Sequence, residues 1–474
     1  MGIYGALTTA VTGLKAQSHA LENISGNIAN SQTTAFKRTD TSFVDYVVEN
    51  NPKRQKSGIV SAFSRQTNDI QGDIVASGTS TSMAINGSGY FTVERLFDYS
   101  DRQLIFNGEN LYSRRGDFQL DRFGHLVNGG GHYLKGLPID EASQNVASDV
   151  TEIMKIQADF LGAQGTTAVD VRANIPTVPK TIFAGSGAAG ANEFMPSGPA
   201  PASNFNQTGD VTNATTEEEF LEKTVAGGAV TAFNSAGSPM NMQMRWGKVA
   251  AYDATVAGGY DAATNSDQWA LFYKSADNTY TRIEPDGGTG NFVFNADGTL
   301  NTGATFGTAA TATPTSTLDL VVGGERIDGL KINWGNGGLT QYADPSGAFQ
   351  ATELDQNGYP AGEMVDVEVT DLGRIRVNYS NGISKDRYEI PLVTFNSENN
   401  LRSLDGGAYA KTDQSGNPIQ GAQSTIVGAS LEASNTDIAE EFSKLIITQQ
   451  AYSANTRIVS SSDEMMQETR NMKR

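Results

Sequence analysis

The clearest structural signal in the sequence is DIAEEFSKLIITQQAYSANTRIVSSSDEMM, residues Asp437 to Met466. A large apolar residue recurs in it every seven positions, which is typical of a helix that packs along one face. Asp437 and Glu440 have the spacing of a capping box, so we expect the helix to begin near Asp437. The candidate packing residues are Ile438, Phe442, Leu445, Tyr452, Val459 and Met466.

The other end of the chain repeats this pattern in YGALTTAVTGLKAQSHALENISGNI, residues Tyr4 to Ile28. The candidate packing residues are Leu7, Val11, Leu14, Leu21 and Ile28. The pattern fades at Asn30 and Ser31, a plausible helix stop. Isolated helices are marginal in water, so both apolar faces must be buried. The pattern alone leaves two partners open: the protein's own β core, or a neighbouring molecule.

Short apolar runs separated by Gly and Asn fill the rest of the chain and predict strands. The sequence texture changes near residue 145, where Ala, Gly, Thr and Asn become abundant around all three tryptophans. We therefore expect a mainly β fold with long terminal helices that pair as a coiled coil, and a multi-domain β outer region. The expected parts are a helix over 1–35, a discontinuous β domain over 36–145 and 362–425, one or more inserted β domains over 146–361, and a helix over 430–474.

Composition excludes several classes of function. The net charge is −19 over 474 residues, and an acidic surface repels phosphate backbones, so nucleic acid is not expected as a partner. The chain has no cysteine, which excludes disulfides and cysteine-based sites. The longest uncharged stretches are broken by Gly, Asn, Ser, Thr and Pro, so no membrane insertion is expected. A positive region before the first apolar stretch is missing, which argues against a Sec-type signal peptide.

No residue pattern indicates catalysis or a cofactor. The sequence has no nucleophile elbow, no HExxH and no Walker loop. His125 and His132 flank a Gly-rich turn near Asp121, but no third metal ligand is recognisable, so an edge strand is the better interpretation. We therefore expect no enzyme, no cofactor and no metal site.

Several motifs then resemble the bacterial flagellar rod and hook axial proteins. They are Asn23-Ile-Ser-Gly-Asn-Ile-Ala-Asn-Ser31 with Thr34-Ala-Phe-Lys37, Gln71-Gly-Asp-Ile74 with Ala84-Ile-Asn-Gly-Ser-Gly-Tyr-Phe91, Tyr112-Ser-Arg-Arg-Gly-Asp-Phe118, and Leu431-Glu-Ala-Ser-Asn-Thr-Asp437 with Gln450-Ala-Tyr-Ser-Ala-Asn455. Ala35 stands where the family usually has Gly. The resemblance covers about residues 1–140 and 385–474. The roughly 240 residues between these ends favour a hook member, with a distal rod protein carrying an insertion as the alternative.

This resemblance implies a structural subunit that polymerises into a tube, with both terminal helices along its inside. It implies a flexible universal joint that passes torque from rod to filament. Implied partners are the chain itself, the distal rod protein, the hook cap protein, the hook–filament junction protein and the flagellar type III export apparatus, which would carry the chain to the outside of the cell. The segment Phe43 to Val47 resembles an export element of such subunits.

Two interpretations from other classes are a β-rich surface adhesin and a glycan-active enzyme. A glycan-active enzyme would need two convergent carboxylates in a cleft, and abundant carboxylates alone do not indicate one. An adhesin would need a binding patch and has no use for heptad ends. Deleting residues 1–30 separates these classes from a polymerising subunit.

Overall fold

The computed structural model describes residues 3–51, 54–100, 103–140, 143–157, 160–181, 214–251, 261, 265–276, 279–287, 290–307, 314–335, 337–421 and 424–472. The chain divides into two compact units. Unit 1 comprises Met1–Asp159 and Met364–Arg474, and unit 2 comprises Phe160–Glu363. Strands predominate, and a long helix lies near each end of the chain, which confirms the predicted fold class.

The helices in these ranges are α1 Ile3–Ala29, α2 Ala214–Lys223, α3 Thr302–Phe306 and α4 Ile438–Asn471. Helix α4 begins where its capping residues predict. The Asp437 side chain accepts hydrogen bonds from the backbone N–H groups of Ala439, at 2.8 Å, and Glu440, at 3.2 Å. Residues 430–436, grouped above with the C-terminal helix, instead hold a short strand and the turn into the cap.

The strands alternate with tight turns along the whole described chain. In the first part of unit 1 they are β1 Thr39–Asn51, β2 Arg54–Gln66, β3 Ile74–Ala76, β4 Met83–Asn86, β5 Tyr90–Ser100, β6 Gln103–Phe106, β7 Leu111–Ser113, β8 Gln119–Leu120, β9 Leu126–Val127, β10 His132–Pro138 and β11 Glu152–Ile153. In unit 2 they are β12 Ala168–Asn174, β13 Thr224–Phe233, β14 Pro239–Ala250, β15 Asp267–Ala276, β16 Thr279–Ile283, β17 Phe292–Phe294, β18 Thr315–Val322, β19 Glu325–Asn333, β20 Leu339–Thr340 and β21 Gln350–Gln356. In the second part of unit 1 they are β22 Met364–Val369, β23 Arg374–Tyr379, β24 Ser384–Glu389, β25 Leu392–Thr394, β26 Arg402–Leu404, β27 Ala408–Ala410, β28 Ile419–Gln420, β29 Thr425–Gly428 and β30 Ser430–Glu432.

Unit 1 is built on a 14-stranded sheet whose main path is β22-β23-β24-β10-β5-β7-β27-β26. In this path three strands from the first part of unit 1, β10, β5 and β7, lie between strands from its second part, so neither part completes the sheet alone. Two small antiparallel pairs, β3 with β30 and β4 with β29, join the same two halves. Its aromatic core includes Tyr90, Tyr112, Phe395 and Tyr409.

A long antiparallel hairpin, β1 with β2, stands outside this sheet and packs along α1. Asn23 donates a hydrogen bond to the Thr41 hydroxyl at 2.8 Å, and the His19 ring nitrogen Nε2 lies 3.0 Å from the Ser64 hydroxyl. These polar contacts fix one face of the hairpin on the helix.

Unit 2 contains two five-stranded sheets. One has the path β18-β19-β12-β20 with β21 paired to β12, and the other has the path β13-β14-β15-β16 with β17 paired to β15. Strand β14 shows why these residues form a strand: every second side chain is buried, namely Met240, Met242, Met244 and Trp246. The three tryptophans lie in one cluster of buried residues, as the sequence predicts for the core of this region.

Two local features differ from the sequence interpretation. Helix α2 lies within the region 146–361 that was predicted to be β, and its Phe220 packs against Phe272 at a ring separation of 5.1 Å. The sequence from Tyr388 to Phe395 reads as one strand but is interrupted between β24 and β25, because Pro391 has no N–H to donate to a neighbouring strand. The sequence over 181–215 reads as a loop, and it falls almost wholly outside the described residues.

Candidate assembly site

The two terminal helices pair within unit 1 and run in opposite directions. Near the start of α1, a Cβ built on Gly13 would lie 3.0 Å from Asn455 Nδ2 of α4. Near its end, Asn27 Nδ2 donates to Glu441 Oε2 at 3.0 Å. Because position numbers rise along one helix as they fall along the other, the pair is antiparallel.

Small and polar side chains, not leucines, form the buried face of each helix. In α1 the buried residues are Ala10, Ala16, Ala20, Ile24 and Asn27. In α4 they are Glu441, Thr448 and Ser462, which fall on one face because they are multiples of seven apart. We call these two faces the seam. Small residues let two helix backbones approach closely, so the sequence signal for the seam is the recurring Ala, Gly and Thr rather than Leu.

The candidate packing residues border the seam. In α1, Leu7, Leu14, Leu21 and Ile28 are half-buried and Val11 is exposed. In α4, Leu445, Val459 and Met466 are half-buried, while Ile438, Phe442 and Tyr452 are exposed. The heptad pattern therefore predicted two helices that pair, and the most buried positions of these helices in one chain are other residues. The role of the candidate packing residues in assembly stays a prediction.

Helix α4 leaves two apolar stripes uncovered. Ile438, Phe442 and Ile446 are spaced by four residues and lie on one side of the helix. Ile447, Ile458 and Met465 are spaced by eleven and seven residues and lie on another side. Their exposed fractions run from 43% for Ile438 to 66% for Ile447. Exposed apolar surface of this kind marks a site for contact with another molecule.

Charged and amide groups tie the helix pair to the start of β1. Thr39 donates its N–H to Asn27 Oδ1 at 2.9 Å, and Asn27 Nδ2 donates to the Thr39 carbonyl at 3.0 Å. Arg38 Nη1 donates to Glu440 Oε2 at 2.9 Å, and Lys444 Nζ lies 2.9 Å from carboxylate oxygens of both Glu440 and Glu441. Hydrogen bonds from Lys444 and Arg38 hold the pKa of Glu440 below its usual value.

A buried carboxylate lies beneath this charged layer. Glu432 Oε1 accepts hydrogen bonds from Lys37 Nζ at 2.5 Å and from the Gly72 N–H at 2.9 Å. Its other oxygen, Oε2, lies 3.4 Å from Arg114 Nη1. Burial lowers the pKa of Lys37, and the negative charge of Glu432 opposes that shift. The four residues come from the four groups of family-like motifs, so the motifs that carry the resemblance meet in space.

We expect Asn27→Ala to loosen the helix pair, because one buried and two part-buried hydrogen bonds are lost and Glu441 loses a partner. Leaving buried polar groups unpaired costs about 1–3 kcal/mol. Limited proteolysis should then cut α1 faster, with a lower helical signal in circular dichroism. Asn30→Ala is the matched control, because the Asn30 side chain donates to the Gly26 carbonyl and accepts from the Thr33 hydroxyl, both near the end of α1, and neither hydrogen bond reaches α4. Equal protease resistance in both variants would contradict this prediction.

The export-like segment lies in β1. Phe43 pairs with Ala62 of β2, is 47% exposed and lines a groove between α1, α4 and β1. Val47 pairs with Ser57, next to an irregularity in the strand register. In the folded chain both residues belong to a long strand, and the role of Phe43 and Val47 in export stays a prediction.

The histidines that flank the Gly-rich turn form part of the unit 1 body. His125 Nδ1 lies 3.6 Å from Asp121 Oδ1, and His132 is buried. Burial lowers the pKa of both imidazoles, and Asp121 opposes the shift at His125. Among the described residues, no three His, Asp or Glu side chains are grouped so that they could hold a metal ion. Within the same ranges, the helices are too short or too polar to cross a membrane.

Comparisons with known proteins agree with the motifs. Four family models match: "Flagella basal body rod protein" over 7–37, "Flagellar hook protein FlgE/F/G D1 domain" over 84–160, "Flagellar basal body protein FlaE D2 domain" over 204–359, and "Flagellar basal body rod FlgEFG protein C-terminal" over 427–472. Together they run from α1 through both units to α4.

Relatives match along their whole length. The flagellar hook protein FlgE of Brucella suis is 26% identical over 100% of both chains. The flagellar hook protein FlgE of Escherichia coli is 26% identical over 97% of this chain and 98% of its own. A crystal structure of the Helicobacter pylori flagellar hook protein FlgE2 has a TM-score of 0.49 and 14% identity, covering 76% of this chain and 100% of that one. From the family models and the full-length relatives, the chain belongs to the family of bacterial flagellar rod and hook proteins.

Proposed function

We propose that this chain is the structural subunit of the bacterial flagellar hook, and that it polymerises into a flexible tube. The two uncovered apolar stripes of α4 carry this proposal, because a single chain leaves them in water. Burial of each large apolar side chain contributes about 1.5–3 kcal/mol, so six such residues favour association strongly. The relatives that match over their whole length are named as hook proteins.

A neighbouring copy would cover these stripes with a different part of its own surface. Contacts between unlike surfaces of identical subunits do not close on themselves, and they generate open helical polymers. In this arrangement the two terminal helices, α1 and α4, line the inside of the tube. The half-buried residues beside the seam, such as Leu14, Leu21 and Leu445, gain partners from neighbouring subunits.

The β regions would form the outer layers. We assign 36–145 with 362–425 to the layer next to the helices and 146–361 to the exposed outer domains. Asp140 to Glu368 carries 28 acidic and 10 basic residues, so contacts between outer domains are polar and separable. Separable contacts suit a tube that bends at every rotation while it transmits torque as a universal joint.

The tube would connect with other flagellar components: the distal rod protein at its base, the hook cap protein during growth and the hook–filament junction protein at its far end. Export through the flagellar type III channel would bring each subunit to the outside of the cell. Phe43 and Val47 are the residues we propose for recognition by the export apparatus, before β1 forms.

Removing residues 1–30 tests the proposed function. We expect the purified full chain to form tubes in electron micrographs and the shortened chain to form none, because α4 loses its partner helix. Tryptophan fluorescence is the control: all three tryptophans lie in unit 2, so their unfolding transition should not change. Tubes from the shortened chain would contradict the proposal, as would a full chain that stays monomeric in every condition. An adhesin or an enzyme would keep its binding or activity without residues 1–30.

A further inference from the structure

The buried carboxylate of Glu432 joins parts of the chain that are very far apart in sequence. Lys37 is 395 residues away and Arg114 is 318 residues away. The Lys37 ammonium and the Glu432 carboxylate are 1% and 0% exposed. Glu432, from the last part of the chain, therefore places its negative charge in a buried site whose cations come from the first part.

The first part of the chain supplies positive charge to this place. Lys37 Nζ donates to the Ile70 carbonyl at 2.7 Å, and the Arg114 guanidinium lies 5.3 Å from the centre of the Tyr90 ring. Another carboxylate nearby, Glu398, accepts from the Tyr90 hydroxyl at 3.2 Å and also comes from the second part of unit 1. Without residues 364–474, the site would therefore contain the cations of Lys37 and Arg114 and neither carboxylate.

A buried charge without a partner is strongly destabilising, and breaking a buried ion pair by removing one member is among the most costly changes in a protein. Contacts at such long sequence separation also form late, because closure of the intervening loop must come first. Backbone hydrogen bonds connect the same two parts of the chain: the Ala35 N–H donates to the Glu432 carbonyl at 2.8 Å, and the Ala433 N–H donates to the Asp73 carbonyl at 2.8 Å.

We propose that the buried charge of Glu432 makes stable folding of unit 1 conditional on the arrival of the C-terminal segment. Until then, the unpaired charges of Lys37 and Arg114 prevent the strands of the first part from packing into a stable sheet. Unit 2 contains no member of the cluster and folds independently of it. This inference concerns the monomer, so it stands or falls separately from the proposed hook function.

The experiment compares Glu432→Gln with wild type in the full chain, by hydrogen exchange resolved along the sequence. Gln keeps the shape and can still accept from the Gly72 N–H, but it removes the charge. We expect exchange in β4, β5 and β7 to become faster by about two to three orders of magnitude, as for other broken buried ion pairs. Exchange in β14 and β15 of unit 2 should stay unchanged and serves as the internal control.

A second variant separates charge from packing. Lys37→Met combined with Glu432→Gln removes one of the uncompensated cations, so protection in unit 1 should recover by at least about tenfold relative to Glu432→Gln alone. Glu440→Gln is the matched control, because Glu440 is also ion-paired but lies 47% exposed. Its effect on unit 1 should stay below about threefold.

Refolding of the wild-type chain tests the timing. In pulsed hydrogen exchange, the amides of β5 and β7 should become protected at the same rate as the Ala433 amide, and later than those of unit 2. Three results would overturn the proposal: unit 1 protection in Glu432→Gln within threefold of wild type, no recovery in the double variant, or protection of β5 and β7 well before Ala433. If Glu432→Gln does not fold at all, recovery of protection in the double variant still decides.

Discussion

Replacing Gly116 by alanine is expected to unfold the body of unit 1. A Cβ on this residue would lie 1.7 Å from the Met83 carbonyl oxygen and 2.8 Å from the Met83 carbonyl carbon, both of them backbone atoms. The two backbone segments are held at this distance because the Met83 N–H donates to the Gly116 carbonyl at 2.9 Å. Met83 is fully buried, so β4 has no free space to move into. We expect a loss of about 4 kcal/mol or more in the free energy of unfolding, at the exceptional end for one substitution.

The measurement must distinguish the two units. Tryptophan fluorescence in urea reports on unit 2, which holds all three tryptophans, and hydrogen exchange in β4, β5 and β7 reports on unit 1. Gly78→Ala is the matched control, because a Cβ there would meet nothing within 4 Å. Its effect should be neutral or slightly stabilising, within about 1 kcal/mol. If unit 1 of Gly116→Ala keeps wild-type protection, the close approach of β4 and Gly116 is wrong.

Features that depend on neighbouring residues could be predicted from the sequence. Alternation in β14 places Met242, Met244 and Trp246 on one side of a strand, and period two is a local property. The start of α4 at Asp437 follows in the same way, because a cap and the N–H groups it binds lie within three residues of each other. The motifs also located the residues that meet around Glu432, although their geometry had no local signal.

The seam between α1 and α4 could not be predicted, because burial depends on the partner. Heptad reasoning assigns the large apolar residues to the contact, whereas the buried positions of the two helices include Ala20 and Thr448, and Gly13 of α1 lies against Asn455 of α4. The polar members also have partners that only the fold reveals: Asn27 satisfies Glu441 across 414 residues. Large apolar residues that border such a contact remain available for a second one.

Helix α2 was missed for a different reason. Its sequence, ATTEEEFLEK, has an average helix propensity. Its large apolar residues, Phe220 and Leu221, are adjacent and do not recur at helical spacing. The apolar anchor of the helix is one buried ring: Phe220 lies 5.1 Å from Phe272 and 4.7 Å from Tyr280. A single anchor of this kind gives no periodic signal in the sequence.

Placing a charge on one α4 stripe is expected to abolish polymerisation and leave the monomer intact. Ile447 is 66% exposed in the single chain, so Ile447→Glu should change the free energy of monomer unfolding by less than about 0.5 kcal/mol. In the proposed tube the same side chain is buried, and the variant loses apolar burial and gains an unpaired charge. A loss of about 3 kcal/mol per contact lowers the association constant more than a hundredfold. The measurement is the lowest protein concentration at which sedimentation and electron microscopy detect tubes.

Gln450→Glu is the control for Ile447→Glu, because it adds the same charge to an exposed position of α4 outside both stripes. Its tubes should form at a concentration within a few-fold of wild type, since screening weakens an exposed charge in salt. A further variant, Phe442→Ser, tests the other stripe, and we expect it to raise the required concentration as well. Tubes from Ile447→Glu at the wild-type concentration would mean that this stripe stays in water in the polymer. The contact between copies would then have to be made by the half-buried residues beside the seam, because the stripe would contribute no free energy to assembly.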